Sequence, residues 1–384
     1  MASPLIDWAT WTGALQLPAV AGGADGADAP PESERSANHA HHESDEEGHD
    51  DLFEGLSLMN SDEPEFVPLT AKAFEEIAAA EELIYLCASW TDEEASQFAE
   101  IIDHQKMSHL VRLRLGKNRI GDAGIERLAS ALVSGNLLSL AELDLDLNDY
   151  GEKGARALAE AMGASTFPEL TRLSMAANSI GEPGGCALAT ALASPRLSQL
   201  AFIDLNGNNV GDKGLSMLGA TIAGGSLSHL VNLYLGKNSI GDAGVVEFAR
   251  CLGEAQEKGL EILPNLYELW LSNNSISDGG AVALFALFNK GAMRNLGDLR
   301  LQFNRLRDGA IAALVETMGL SVLPKLWYLG LSDNSFTDTG LIMLEEAINA
   351  GGLPRLEFFT ASSLSSSEER QEAVQDAFTR RRHG

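Results

Sequence analysis

The chain has 384 residues, 45% of them apolar, with 55 acidic against 27 basic side chains and a formal charge of −28 at pH 7. That composition suits one large or one long core and excludes collagen-like and mucin-like classes. The charge repels phosphate backbones, so nucleic acid is not expected as a partner; nor is a membrane, since no apolar run approaches the ~20 residues a bilayer span needs.

Residues 1–68 read as a disordered acidic leader. They hold 15 acidic residues against the single Arg35, too polar a mixture to offset the entropy of ordering. The front, MASPLIDWATWTGALQLPAVAGG, carries Asp7 and no Lys or Arg, unlike a secretory or transit peptide. Cys87, Cys186 and Cys251 are too widely spaced for a zinc site or a disulfide framework and read as reduced thiols. Both observations point to a cytosolic or nuclear compartment. Within the leader, His39, His41, His42 and His49 lack the fixed geometry of a metal site, and no metal is expected elsewhere. Ser44, followed by Asp45, Glu46 and Glu47, is a candidate phosphorylation site for an acidophilic kinase. Leu52, Phe53, Leu56 and Leu58 form an apolar cluster that could fold on a partner or on the rest of the chain.

Residues 69–109 are expected to form a capping helix and an atypical first repeat, with Leu83, Trp90, Phe98 and Ile102 at apolar positions. Eight full repeats follow over 110–355. HLVRLRLGKNRIGDAGIERLASAL at 109–132 returns as HLVNLYLGKNSIGDAGVVEFARCL at 229–252, and the shared pattern is L-x-x-L-x-L-x-x-N-x-I-G-x-x-x-G-x-x-x-L-x-x-x-L. Its first leucine falls at Leu110, Leu140, Leu170, Leu200, Leu230, Leu266, Leu296 and Leu326, a step of 30 broken once by a step of 36. The alternation of Leu113 and Leu115 predicts a strand, and the spacing by four of Gly124, Leu128 and Leu132 predicts a helix. Each copy is therefore strand, turn, helix.

Asn118, Asn148, Asn178, Asn208, Asn238, Asn274, Asn304 and Asn334 recur without exception and should form a ladder that bonds turn backbone from one repeat to the next. Glycine at the helix start, with Ala310 as the exception, implies close approach to neighbouring backbone. Pro168, Pro264, Pro324 and Pro354 are expected in extended backbone entering the strands. Residues 356–384 read as a cap of one strand and one helix, with Ser366 and Glu369 in capping-box register.

These repeats resemble the leucine-rich repeat family, and within it the long-repeat, ribonuclease-inhibitor-like subfamily. The resemblance implies an α/β solenoid shaped as a horseshoe, parallel strands on the concave face and helices on the convex face.

On such a frame the residues between the leucines face a partner. One column runs Arg114, Asp144, Ser174, Asp204, Tyr234, Trp270, Arg300, Gly330, and the other Arg112, Glu142, Arg172, Phe202, Asn232, Glu268, Asp298, Tyr328. Phe202, Tyr234, Trp270, Arg300 and Tyr328 form an aromatic and arginine patch of the kind that dominates binding hot spots. Arg112, Arg114, Asp144 and Asp204 are further candidate contacts, although charges of opposite sign in adjacent strands also pair with each other. The 36-residue step adds about six residues in CLGEAQEKGLEILPN, either a second candidate edge or an ordinary longer helix.

No phosphate-binding loop, H-E-x-x-H or G-x-S-x-G occurs, so no enzyme and no cofactor is expected. The reading is a non-enzymatic scaffold binding another protein. The resemblance also implies an alternative, since the subfamily includes GTPase-activating proteins for the small nuclear-transport GTPase; the repeats are similar as well to the sensor repeats of innate-immune receptors.

Overall fold

Each copy of the motif becomes one three-residue strand, a turn and a helix. The computed structural model describes residues 77, 79–164 and 167–383. The strands are β1 (Glu82–Ile84), β2 (Arg112–Arg114), β3 (Glu142–Asp144), β4 (Arg172–Ser174), β5 (Phe202–Asp204), β6 (Asn232–Tyr234), β7 (Glu268–Trp270), β8 (Asp298–Arg300), β9 (Tyr328–Gly330) and β10 (Phe358–Thr360). They lie in chain order in one parallel sheet. The helices are α1 (Asp92–His104), α2 (Asp122–Leu132), α3 (Glu152–Ala164), α4 (Gly181–Ala191), α5 (Gly211–Ala223), α6 (Asp242–Glu257), α7 (Asp278–Asn289), α8 (Asp308–Gly319), α9 (Asp338–Asn349) and α10 (Glu368–His383). The acidic leader, with its histidines, Ser44 and the Leu52 to Leu58 cluster, lies outside the described residues, as does most of the expected capping helix; Ile77, which is described, is helical and buried.

The core is the leucine pattern itself. Leu110, Leu113, Leu115 and Ile120 of the first full copy are at most 1% exposed, and their counterparts in later copies are buried in the same way. No repeat could bury this face alone, because the apolar edge of each is covered by its neighbours.

The asparagines do what the spacing predicts. Asn148 Nδ2 donates to the carbonyls of Leu115 at 3.0 Å in the preceding repeat and Leu145 at 3.1 Å in its own, while its Oδ1 accepts from Ile120 N at 3.1 Å. Buried turn groups that no ladder partner reaches are thus satisfied by the next repeat. Past the last rung, the Ser363 hydroxyl takes over, donating to Asn334 O at 3.0 Å and to Phe336 O at 2.6 Å.

A second ladder, which the sequence reading does not contain, explains the glycines. The aspartate that opens a helix reaches forward to the start of the following one: Asp92 Oδ1 accepts from Gly121 N at 2.6 Å and Gly124 N at 2.9 Å, and Asp122 Oδ1 from Gly151 N and Gly154 N at 2.7 and 2.8 Å. Asp242 does the same for Ser277 N and Gly280 N. Two of the orphan donors at the starts of α2, α3, α7 and α8 are satisfied from the preceding repeat in this way, and one at α6, α9 and α10. A Cβ on Gly124 or Gly244 would lie 2.7 or 2.6 Å from that carboxylate, so the close approach is to an oxygen. Ala310 is accommodated with the bond to Asp278 lengthened to 3.1 Å. Where glutamate replaces aspartate, at Glu152 and Glu182, the following helix starts differently: Gly181 and Gly211 adopt φ of +67° and donate instead to Asn208 O and Asn238 O.

Two local expectations are corrected, and of the two readings of the 36-residue step the longer helix is the one seen. The prolines sit in tight turns, not in extended backbone: Leu170 N donates to Phe167 O, and Leu266 N to Leu263 O, with Pro168 and Pro264 at the second turn position that favours proline. The last helix starts one residue later than the Ser366 and Glu369 register implies. Ser367 precedes it, with its N–H bonded to Asp338 Oδ1 at 2.6 Å, so the second ladder decides the start. The 36-residue step lengthens α6 to 16 residues. Its end is tied to the next repeat by a Lys290–Glu257 ion pair of 2.8 Å and a Gln256 Nε2 bond to Lys290 O of 2.7 Å, on the helix side and away from the sheet.

Candidate partner-binding face

A three-residue strand sends its middle side chain to one side and its flanking side chains to the other. The middle residues, from Leu113 to Leu329 and Phe359, are buried. The flanking ones therefore line the concave face in two rows whose register is Arg112, Glu142, Arg172, Phe202 and Arg114, Asp144, Ser174, Asp204 over β2 to β5. The rows continue as Asn232, Glu268, Asp298, Tyr328 and Tyr234, Trp270, Arg300, Gly330.

Over β4 to β10 these side chains form one continuous stack. Arg172 Cζ lies 3.8 Å from the Phe202 ring centre. Phe202 meets Tyr234 edge to face at 5.2 Å, and Tyr234 lies flat on Trp270 at 3.8 Å and 12°. Arg300 Cζ is 3.9 Å from Trp270 on one side and 4.8 Å from Tyr328 on the other. Tyr328 is followed by Phe358, 6.5 Å away and 40% exposed. All five residues expected in the patch are thus brought together, and the structure adds Arg172 and Phe358. Phe358 was missed because it belongs to the cap strand, and Arg172 because its column reads as charged.

The stack changes what the patch can do. Trp270 has Tyr234 on one face and Arg300 on the other, so a partner meets ring edges more than ring faces. Two anchors hold it. Arg300 Nη2 bonds the 2% exposed Asp298 at 3.0 Å; burial raises the Asp298 pKa, and Arg300 opposes that rise. The Tyr234 hydroxyl donates to Glu268, and its pKa is raised, first by burial and then by that carboxylate.

Over β1 to β5 the face is charged. Arg112 pairs with Glu82. Arg114 pairs with Glu142 at 2.8 Å, diagonally across the register, instead of with the directly opposite Asp144. Asp144 Oδ1 accepts from Asp146 N at 3.0 Å, and Asp204 Oδ1 from Asn206 N at 2.9 Å. Asp146, one position beyond the two rows, takes the Ser174 hydroxyl at 2.7 Å and Ala176 N at 2.5 Å. Burial pushes Asp146 up to about 7 and Asp204 to about 6, with repulsion from Asp144 adding to each. Asp144 is raised by the same cause. Among the described residues no group of three His, Cys, Asp or Glu side chains is arranged to hold a metal ion, and no helix is long and apolar enough to cross a membrane.

Four segments, 106–129, 200–219, 226–249 and 263–285, match the family model described as leucine rich repeat. No curated protein matches the chain. Among solved structures it is similar to the functional domain of InlJ from Listeria monocytogenes, which includes a cysteine ladder, at 15% identity and a TM-score of 0.39, covering 68% of this chain and 42% of that one. An internalin, InlF, also from Listeria monocytogenes, is 15% identical with a TM-score of 0.36 over 79% of this chain and 91% of its own. A TDR receptor is 17% identical with a TM-score of 0.38 over 76% and 49%. The chain thus spans about two fifths of the first of these structures.

Proposed function

Because the chain is a leucine-rich repeat protein, we propose that it is a non-enzymatic scaffold of the ribonuclease-inhibitor-like kind whose concave face binds another protein. The subfamily reading is supported by repeats of 30 residues that each carry a full α-helix, 11 residues in α2 and 13 in α3. The observation that carries the binding reading is the stack from Arg172 to Phe358. Its rings are not required by the core, which the leucines fill, and with Arg172 and Arg300 they leave a ridge across seven strands, aromatic on five of them. Trp, Tyr and Arg in a well-packed cluster are the residue types on which binding energy concentrates.

Affinity capture with the full-length chain, repeated with Trp270→Ala, tests this. Partners held by the ridge lose ~2 kcal/mol or more of binding in the variant. Unchanged affinity overturns the reading, and stimulation of GTP hydrolysis by any member of a panel of small GTPases would replace it with the enzymatic alternative.

A further inference from the structure

The concave face is unbalanced in charge, and the imbalance indicates what it would take. Every arginine on it is engaged: Arg112 with Glu82, Arg114 with Glu142, Arg300 with Asp298, and Arg172 over the ring of Phe202. The carboxylates are in excess. Asp144, Asp146 and Asp204 have backbone and hydroxyl donors but no ion pair within the face; Arg114 and Arg172 oppose the burial of Asp144, and Arg172 that of Asp204, without contact. The groups around them are Arg114 on β2, Glu142 on β3, Arg172 and Ser174 on β4, and Asn206 beyond β5. Close by is the fully buried Tyr150, whose hydroxyl has no hydrogen-bond partner and whose pKa is raised first by burial and then by Asp146 and Asp144. Half of the net charge of the chain lies outside the leader, so the repeats are themselves acidic. A site for a polyanion is excluded.

We propose that the β3 to β5 part of the concave face is a docking surface for a basic protein segment, whose lysine or arginine side chain supplies the ion-pair partner that Asp144, Asp146 and Asp204 do not have within the face. It rests on the reading of the concave face as the binding face, and adds the chemistry of the partner there. The aromatic ridge begins at Phe202, next to these carboxylates, so one segment can engage both. A cation bound here favours the ionised carboxylates, so docking releases protons and strengthens as pH rises. With Asp146 titrating at about 7 and Asp204 at about 6, the change falls between pH 5 and 8.

The test uses the full-length chain and a decalysine peptide, read by hydrogen exchange so that binding to the leader is resolved from binding to the strands. The peptide is expected to slow exchange in β3 to β5. The concentration giving half-protection should rise at least tenfold in Asp144→Asn/Asp204→Asn, with a melting temperature no lower than that of the wild type as the check on folding, and should fall several-fold from pH 5 to 8 in the wild type. Trp270→Ala is expected to leave decalysine protection of β3 to β5 in place. Protection confined to the leader, equal half-protection in the double variant, or loss of protection in Trp270→Ala each overturns the proposal. The capture experiment with Trp270→Ala reads the ridge separately, so the two readings fail independently.

Discussion

The two ends of the concave face stand on the same frame and do opposite things with it. Over β1 to β5 the rows are mostly charged, Arg112 and Arg114 are paired, Arg172 lies over Phe202, and three carboxylates have no ion pair. Over β6 to β10 the rows are aromatic and the one arginine is sandwiched between rings. Leucine and asparagine positions recur in both halves, and the ladder aspartate gives way only at Glu152 and Glu182, on the helix side, so the frame does not set this difference. Recognition is written in the two free positions of each strand, and they vary without disturbing the core because they point away from it.

If that separation is right, the frame should respond alike in both halves. Asn148→Leu and Asn238→Leu each strand several buried groups, which cost about 1–3 kcal/mol apiece when unpaired, so both should lose about 3 kcal/mol or more in urea unfolding. A large difference between them would show that the halves do not share one frame. Gly244→Ala comes next: a Cβ 2.6 Å from Asp212 Oδ1 forces repacking worth about 1–3 kcal/mol, again read by denaturant midpoint.

The surface should respond unequally. Trp270→Ala is expected to weaken partner binding by ~2 kcal/mol or more, and Arg114→Ala by less than ~1 kcal/mol, because an ion pair at a wet surface contributes little; side-by-side titration calorimetry ranks them. The acidic half should also be sensitive to pH. Asp146 and Asp204 have folded pKa values near 7 and 6, above the unfolded value of about 4. The folded state therefore holds more protons between pH 4 and 7, and stability falls as pH rises through that window. Melting temperature should increase from pH 8 to 5.5, and Asp146→Asn/Asp204→Asn should flatten the dependence. The smallest effect is expected on the outer side, where Arg127→Ala removes an ion pair to Asp103 and should shift stability by no more than about 0.5 kcal/mol.

The frame was legible in the sequence because its residues repeat. Eight asparagines at one offset and leucines at fixed steps predict strand, turn and helix, and every one of those asparagines lands in the ladder. The aspartate ladder carried the same kind of signal, at Asp122, Asp212, Asp242, Asp278, Asp308 and Asp338. It goes unread because the groups it bonds belong to the following repeat. The patch was legible as a list of residues but not as a stack. That Trp270 is covered on both faces depends on the angle of each side chain, and no column of letters contains it. Asp146 was missed for a simpler reason: it lies just past the leucine-bounded positions.

The two ladders run in opposite directions. An asparagine completes the repeat before it, and an aspartate completes the repeat after it. Cleavage between two repeats that both ladders join would accordingly leave matching stubs: unfilled backbone groups awaiting an amide on one fragment, and bare helix amides awaiting a carboxylate on the other. Such fragments would recognise each other when mixed, and the protein could be rebuilt from two pieces cut at those joints.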